Sequence, residues 1–129
     1  MEVNYFIRQI LTYLKIHSYN PSYNLAFEEY ILCHRFNGDY LLLWQNDNTI
    51  VVGQSQSTEA ATNRVFMESH CINIVRQTTG SNVVYHDLGN LNFSFITDTG
   101  DDWEQLPLKC FTMLVVAMLR GLGLYAEAS

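Results

Sequence analysis

The apolar stretches of this chain are short and of two kinds, and that constrains its fold more than any other feature. The longest wholly apolar run, Met113 to Leu119, is far too short to cross a bilayer. Tyr40–Trp44, Thr49–Val52 and Leu91–Ile96 have strand length and strand composition. Other stretches place apolar residues at helical spacing. Gly, Pro and Asn clusters separate the two kinds, so the pattern predicts an α+β fold. With 48% hydrophobic residues, 16% charged residues and only 2 prolines in 129 residues, the chain can bury a core and is not a disordered or collagen-like polymer.

The formal charge of -6, without a basic cluster, argues against nucleic acid or an anionic membrane as partner. The N-terminus lacks a basic start followed by a signal-type apolar core, and the cysteine usage predicts a cytoplasmic chain. Cys33, Cys71 and Cys110 are odd in number and never form C-x-x-C, so they are expected to be reduced and mostly buried. His17, His34, His70 and His86 show no metal-ligand spacing, and no metal site is expected.

No internal repeat or linker divides the chain, so 1–129 is read as one piece. Asn20 and Pro21 open a helix with Tyr23, Phe27, Tyr30, Ile31 and His34 on one face, ended by Asn37-Gly38. Tyr40–Trp44 and Thr49–Val52 are expected to form a hairpin around Asn46-Asp47-Asn48. One helix is expected over Thr58–Ser69 and a strand over Ile72–Val75. Val83–Tyr85 and Leu91–Ile96 are expected to form a second hairpin with His86-Asp87 at its bend. In the latter strand Leu91, Phe93 and Phe95 share one face, and Asn92 and Ser94 share the other. Asp101 or Asp102 can cap a helix ending near Arg120, with Gly121 as its left-handed exit. Leu122–Ala126 reads as the start of a further strand, so the chain looks cut short.

The chemistry concentrates in VRQTTGSNVVYHDLGNLNFS, Val75 to Ser94. A small-residue loop lets backbone N–H groups converge on an anion. Arg76 at its rim can pair with a phosphate or carboxylate, and His86 can donate to a substrate oxygen or act as acid or base. Singly, each part also has a plain structural reading. The loop can be an ordinary turn, Arg76 a surface residue, His86-Asp87 a local hydrogen-bonded pair and Trp44 a core residue. Asn92 and Ser94 can simply mark a solvent face.

Together these residues resemble the signature of the lipoate–protein ligase family, R-R-x-[ST]-G-G-G-x-V-x-H-D-x-G-N. Arg76, Thr79, Gly80, Val84, His86, Asp87, Gly89 and Asn90 are in register with it. NPSYNLAFEE from Asn20, the segment Leu42 to Gln56 and the terminal GLYAEAS are similar to further family segments, so the resemblance runs nearly continuously from His17. It implies a biotin/lipoate ligase-like fold, a mixed and largely antiparallel β-sheet flanked by helices, with 1–129 as the N-terminal part of one catalytic domain. It also implies activation of lipoate by ATP and Mg to lipoyl-adenylate, then transfer to a lysine on a lipoyl carrier domain. Those carriers belong to 2-oxoacid dehydrogenases or are the glycine cleavage H protein.

In that reading Trp44 lies in the lipoyl pocket. Arg76, Gln77, Gly80, Ser81, Asn82, Val83, Val84, Tyr85 and His86 form the adenylate-binding loop. Two departures stand out: Gln77 replaces the second Arg, and Ser81-Asn82 replaces two glycines. The family's G-R-N-D motif and the lysine after it do not occur here, so no catalytic residue is assigned and the chain as given is expected to be inactive. An octanoyl or lipoyl transferase of the same fold, and a non-catalytic acyl-binding module, are alternative readings.

Overall fold

The computed structural model describes residues 11–34, 38–78, 80, 82–98 and 108–128. They form two units, one ending at Ile96 and one beginning at Thr97. The first unit contains β1 (Leu11–Lys15), α1 (Pro21–Cys33), β2 (Asp39–Trp44), β3 (Thr49–Val52), α2 (Thr58–Ala61) and α3 (Arg64–Ser69). It continues with β4 (Asn73–Arg76), β5 (Val84–His86) and β6 (Asn92–Ile96). The expected mixed α+β architecture is observed. Its strands form two three-stranded sheets, ordered β1-β2-β6 and β4-β3-β5.

In each sheet the central strand has one parallel and one antiparallel neighbour. A parallel neighbour needs a long crossover, usually helical. α1 supplies it between β1 and β2, and α2 with α3 supplies it between β3 and β4. The two expected hairpins are therefore absent: β2 does not pair with β3, nor β5 with β6. The backbone of the first bend is committed elsewhere. Asp47 N–H donates to Tyr19 O at 3.1 Å, and Asn48 O accepts from Asn73 N–H at 2.9 Å. Asn48 itself takes a positive φ of 31° and donates its amide to the carbonyls of His70 and Cys71.

The second bend is closed locally. Asp87 Oδ1 accepts from Gly89 N–H at 2.8 Å, and Asn90 Nδ2 donates to Tyr85 O at 3.0 Å. Gln45 Nε2 donates to Leu88 O at 2.8 Å and ties the two bends together. Both links carry the chain from one sheet to the other.

The core of the first sheet is Ile16, Ile31, Leu42 and Trp44, with Leu14, Leu25, Phe27, Tyr40 and Ile96 packed against it. Leu42 and Trp44 alternate on β2 as period two requires. In β3, Thr49, Val51 and Val52 are all buried, so both faces of this strand are covered.

Helix α1 begins as expected, with Asn20 accepting from Tyr23 N–H at 3.1 Å and Pro21 in the first turn. Its inner face differs from the expected one. Pro21, Asn24 and Ile31 are buried, whereas Tyr23 and Tyr30 are exposed. Asn37 lies outside the described residues, and the helix closes earlier, with His34 N–H on Tyr30 O at 3.1 Å. The single helix expected over Thr58–Ser69 is two. Asn63 breaks it by capping α3, its side chain accepting from Phe66 N–H at 3.2 Å. Such side chains compete with the helix backbone and favour caps.

The second unit holds α4 (Leu108–Gly121). Its proposed caps Asp101 and Asp102 lie outside the described residues. The left-handed exit is Gly123, φ +80°, and not Gly121. Gly123 N–H donates to Arg120 O at 2.9 Å, and Leu124 N–H to Leu119 O at 3.0 Å, the two bonds of a Schellman end. Residues 124–128 form no strand, because the backbone folds back on the helix end and Arg120 Nε donates to Ala126 O at 3.0 Å. The three cysteines, expected to be mostly buried, are exposed free thiols. Among the described residues no helix is long and apolar enough to cross a membrane.

Candidate functional site

Strand β6 settles which side chains face inward. Asn92 pairs opposite Trp44, and Ser94 opposite Leu42. The inner face is therefore the polar one. Asn92 and Ser94 point towards α1 and the second sheet, while Leu91 and Phe93 are largely exposed and Phe93 meets Phe95 edge-on at 5.9 Å. The solvent-face reading of Asn92 and Ser94 is corrected: burying Trp44 at this level of β2 brings its paired neighbours in with it.

A cleft of about 290 Å³ results, lined by Glu28, Trp44, Gln77, Val84, His86, Leu91, Asn92, Phe93 and Ser94. Sheet one supplies Trp44 and the β6 residues, sheet two supplies Val84 and His86, and α1 supplies Glu28. Trp44 Nε1–H donates to Ser94 Oγ at 3.1 Å, and the Ser94 hydroxyl donates to Glu28 Oε1 at 2.6 Å. This fixes the indole in one orientation. Asn92 Nδ2 is a buried donor with no partner among the described residues. An unpaired buried donor costs about 1 to 3 kcal/mol, so its presence on a cleft wall points to a use. A second cleft of about 500 Å³ adjoins at Glu28 and Gln77 and is bounded by α1, β4 and β6.

His86 stands edge-on to Trp44, with ring centres 6.0 Å apart. Asn46 Nδ2 lies 3.1 Å from its Nδ1. Burial lowers its pKa below the ordinary value of 6.5, so the ring is neutral at neutral pH.

The residues expected in the loop separate into groups. Val84, His86 and Gln77 meet Trp44 at the cleft. Arg76 turns the other way: Nη1 donates to the carbonyls of Gly53, Gln54 and Gln56 at 2.8, 3.2 and 2.8 Å, and Nη2 to Thr58 Oγ1 at 2.8 Å. It clamps the β3–α2 loop. Tyr85 alternates away from the cleft and donates its hydroxyl to Asn48 Oδ1 at 2.8 Å. Gly80 has φ +86°, and a Cβ there would stand 2.6 Å from Gln77 Nε2, so the Gln77 side chain lies on its bare face. Asn82 is exposed and Val83 is half-buried. Thr79 and Ser81 lie outside the described residues.

Reasoning from sequence missed Asn24, Glu28, Asn46, Asn92 and Ser94. The usable signal was the spacing Pro21, Asn24, Glu28, Ile31, which puts two polar residues on the stripe that also carries Ile31.

Relatives share this sequence and fold. A lipoate-protein ligase of Bacillus subtilis (strain 168), LplJ, is 44% identical over 112 residues, 85% of this chain and 33% of that protein. The chain spans about a third of the length of the curated relatives it matches. Among solved structures, the bipartite lipoate protein ligase of Thermoplasma acidophilum, studied with its E2 lipoyl domain, is 28% identical with a TM-score of 0.80, over 94% of this chain and 49% of that one. A lipoate-protein ligase A bound with ATP is 29% identical with a TM-score of 0.76, over 94% of this chain and 48% of that one. The family described as lipoyl protein ligase A/B catalytic domain matches residues 20–129, more than half of the sequence, and this chain belongs to it.

Proposed function

We propose that this chain carries the acyl-adenylate site of a cytoplasmic lipoate–protein ligase and forms the N-terminal part of its single catalytic domain. The lipoate carboxylate attacks the α-phosphorus of ATP. The bond to the β-phosphate breaks, and lipoyl-adenylate and pyrophosphate form. A lysine amine of a lipoyl carrier domain then attacks the acyl carbon, an amide forms and AMP leaves. The carriers are the lipoyl domains of 2-oxoacid dehydrogenases or the glycine cleavage H protein.

One observation carries the reading: a single cleft joins an apolar wall to unspent donors. Trp44 and Val84 suit an aliphatic tail and dithiolane ring, with Leu91 and Phe93 only at the exposed rim, while Asn92 Nδ2 and His86 suit the oxygens at the carboxyl end. Gln77, with Gly80, Asn82 and Val83 of the loop that follows it, is assigned to the phosphoryl end. Arg76 acts there as a positioning residue, holding the β3–α2 loop against β4. The described residues contain no cluster of three His, Cys, Asp or Glu side chains. Magnesium, when present with ATP, would be held largely by the nucleotide phosphates and would neutralise their charge.

Titration calorimetry with a non-hydrolysable lipoyl-adenylate mimic tests this. Saturable binding, abolished or weakened at least tenfold (roughly 1.4 kcal/mol) by Trp44→Ala, is expected. No binding to the folded chain overturns the assignment.

A further inference from the structure

Behind the cleft, in the first unit, lies a buried polar relay of amide side chains. The relay runs from α1 to the cleft. Asn24, in α1, is fully buried, as is Asn46 after β2. Asn24 Nδ2 faces three acceptors: Ser18 O at 3.0 Å, Gln45 O at 2.8 Å and Asn46 Oδ1 at 3.0 Å. Two of these are backbone carbonyls, which can only accept. The amide of Asn24 is therefore fixed in direction, even though its Oδ1 is left without a partner among the described residues. Turning it over would set an oxygen against three oxygens.

That direction propagates. Asn46 must offer Oδ1 to Asn24, so its Nδ2 is the atom at 3.1 Å from His86 Nδ1. An amide N–H₂ can only donate, so Nδ1 must accept, and the ring proton resides on Nε2. No hydrogen bond among the described residues engages Nε2, and His86 lines the Trp44 cleft.

We propose that Asn24 and Asn46 are positioning residues that lock His86 as the neutral Nε2–H tautomer, so that Nε2–H serves as a fixed donor to an acyl-adenylate oxygen in the Trp44 cleft. The tautomer follows from the relay alone; its use as a donor rests on the ligase reading. Burial of the ring agrees with it, because desolvation and a facing N–H₂ both oppose protonation. A donor whose proton is preset costs no reorganisation when the ligand arrives.

Nitrogen-15 NMR of the full chain decides the first part without any variant. A coupling across the hydrogen bond from Asn46 Nδ2 to His86 Nδ1, with Nδ1 unprotonated and Nε2 protonated, is expected. Averaged ring shifts from exchanging tautomers, without that coupling, overturn the relay. Asn46→Asp replaces the donor by an acceptor. It should move the proton to Nδ1 and shift the His86 titration to higher pH; unchanged ring shifts would equally sink the proposal. Binding of lipoyl sulfamoyl-adenosine tests the second part. Asn46→Asp should weaken it about tenfold or more, and equal affinity in both proteins refutes the donor role. Failure of the unaltered protein to bind refutes the ligase reading instead, and the spectra still judge the tautomer.

Discussion

Trp44 and His86 form the junction of apolar and polar chemistry, and both are held from behind. The Ser94–Glu28 chain orients the indole, and the Asn24–Asn46 chain orients the imidazole. Trp44 is only 7% exposed and belongs to the core as well as to the cleft. Trp44→Ala should therefore cost about 3 to 5 kcal/mol in urea unfolding, through lost packing and a cavity. It should also open the cleft to bulkier acyl groups, seen as a changed preference among acyl-adenylate mimics. His86 gives a pH signature. The unfolded chain protonates it near its ordinary value of 6.5, and the folded chain only at lower pH. Between those values the unfolded state holds more protons, so this group's contribution to stability falls as pH drops through 6.5 and levels off below the folded pKa. Unfolding midpoints from pH 8 to 5 should fall less steeply in His86→Gln than in the unaltered chain.

At the scale of elements, strand β6 and the loop after β4 behave differently from what their composition suggests. Phe93 lies on the outer face and is 47% exposed. Phe93→Ser should cost only about 1 kcal/mol, mostly the edge contact with Phe95, far less than truncating Trp44 on the inner face. Equal costs in chemical denaturation would mean that the outer face carries core packing. Gly80 has φ +86°. An alanine there meets left-handed strain of about 1 to 2 kcal/mol, partly offset by a less flexible unfolded chain. The added Cβ also displaces the Gln77 amide, a flexible side-chain end. Gly80→Ala should thus lose about 1 kcal/mol of stability and alter adenylate-mimic affinity more than Phe93→Ser does.

For the molecule as a whole, the two sheets of the first unit matter less for their size than for the crossings between them. The links at 45–48 and 87–91 leave the cleft walls on different sheets, so a ligand seated there contacts both. Anything that binds the folded form alone stabilises it by mass action. At about one hundred times its Kd, a lipoyl-adenylate mimic should add about 2.7 kcal/mol, which raises Tm by something on the order of 10 °C for a chain of this length. Differential scanning calorimetry should show that rise in the unaltered protein and lose it in Trp44→Ala at the same ligand concentration.

The sequence alone determined the family and most local elements, though not the break at Asn63 or the absence of a strand over 124–128. Asn20-Pro21 starts a helix because a side-chain acceptor and a preset φ suit a first turn, whatever lies around it. Thr49–Val52 is a strand because β-branched residues fit one. The run from Arg76 to Asn90 carries most of the family signature in register, departing from it at Gln77, Ser81 and Asn82. Pairing partners and inner faces were decided only by the tertiary structure. A turn-forming Asn46-Asp47-Asn48 is compatible with a hairpin, and only the bonds to Tyr19 and Asn73 send β2 and β3 into different sheets. Alternation in Leu91–Ile96 divides the strand into two faces but does not say which is inside; pairing with Trp44 does. For the same reason Asn92 read as a solvent-face residue and Asn46 as a turn residue, while Asn24 and Glu28 drew no site assignment. A buried polar group is stable only with its partners, and those partners are 22 to 66 residues away in the chain for the bonds Asn24–Asn46, Asn46–His86 and Glu28–Ser94.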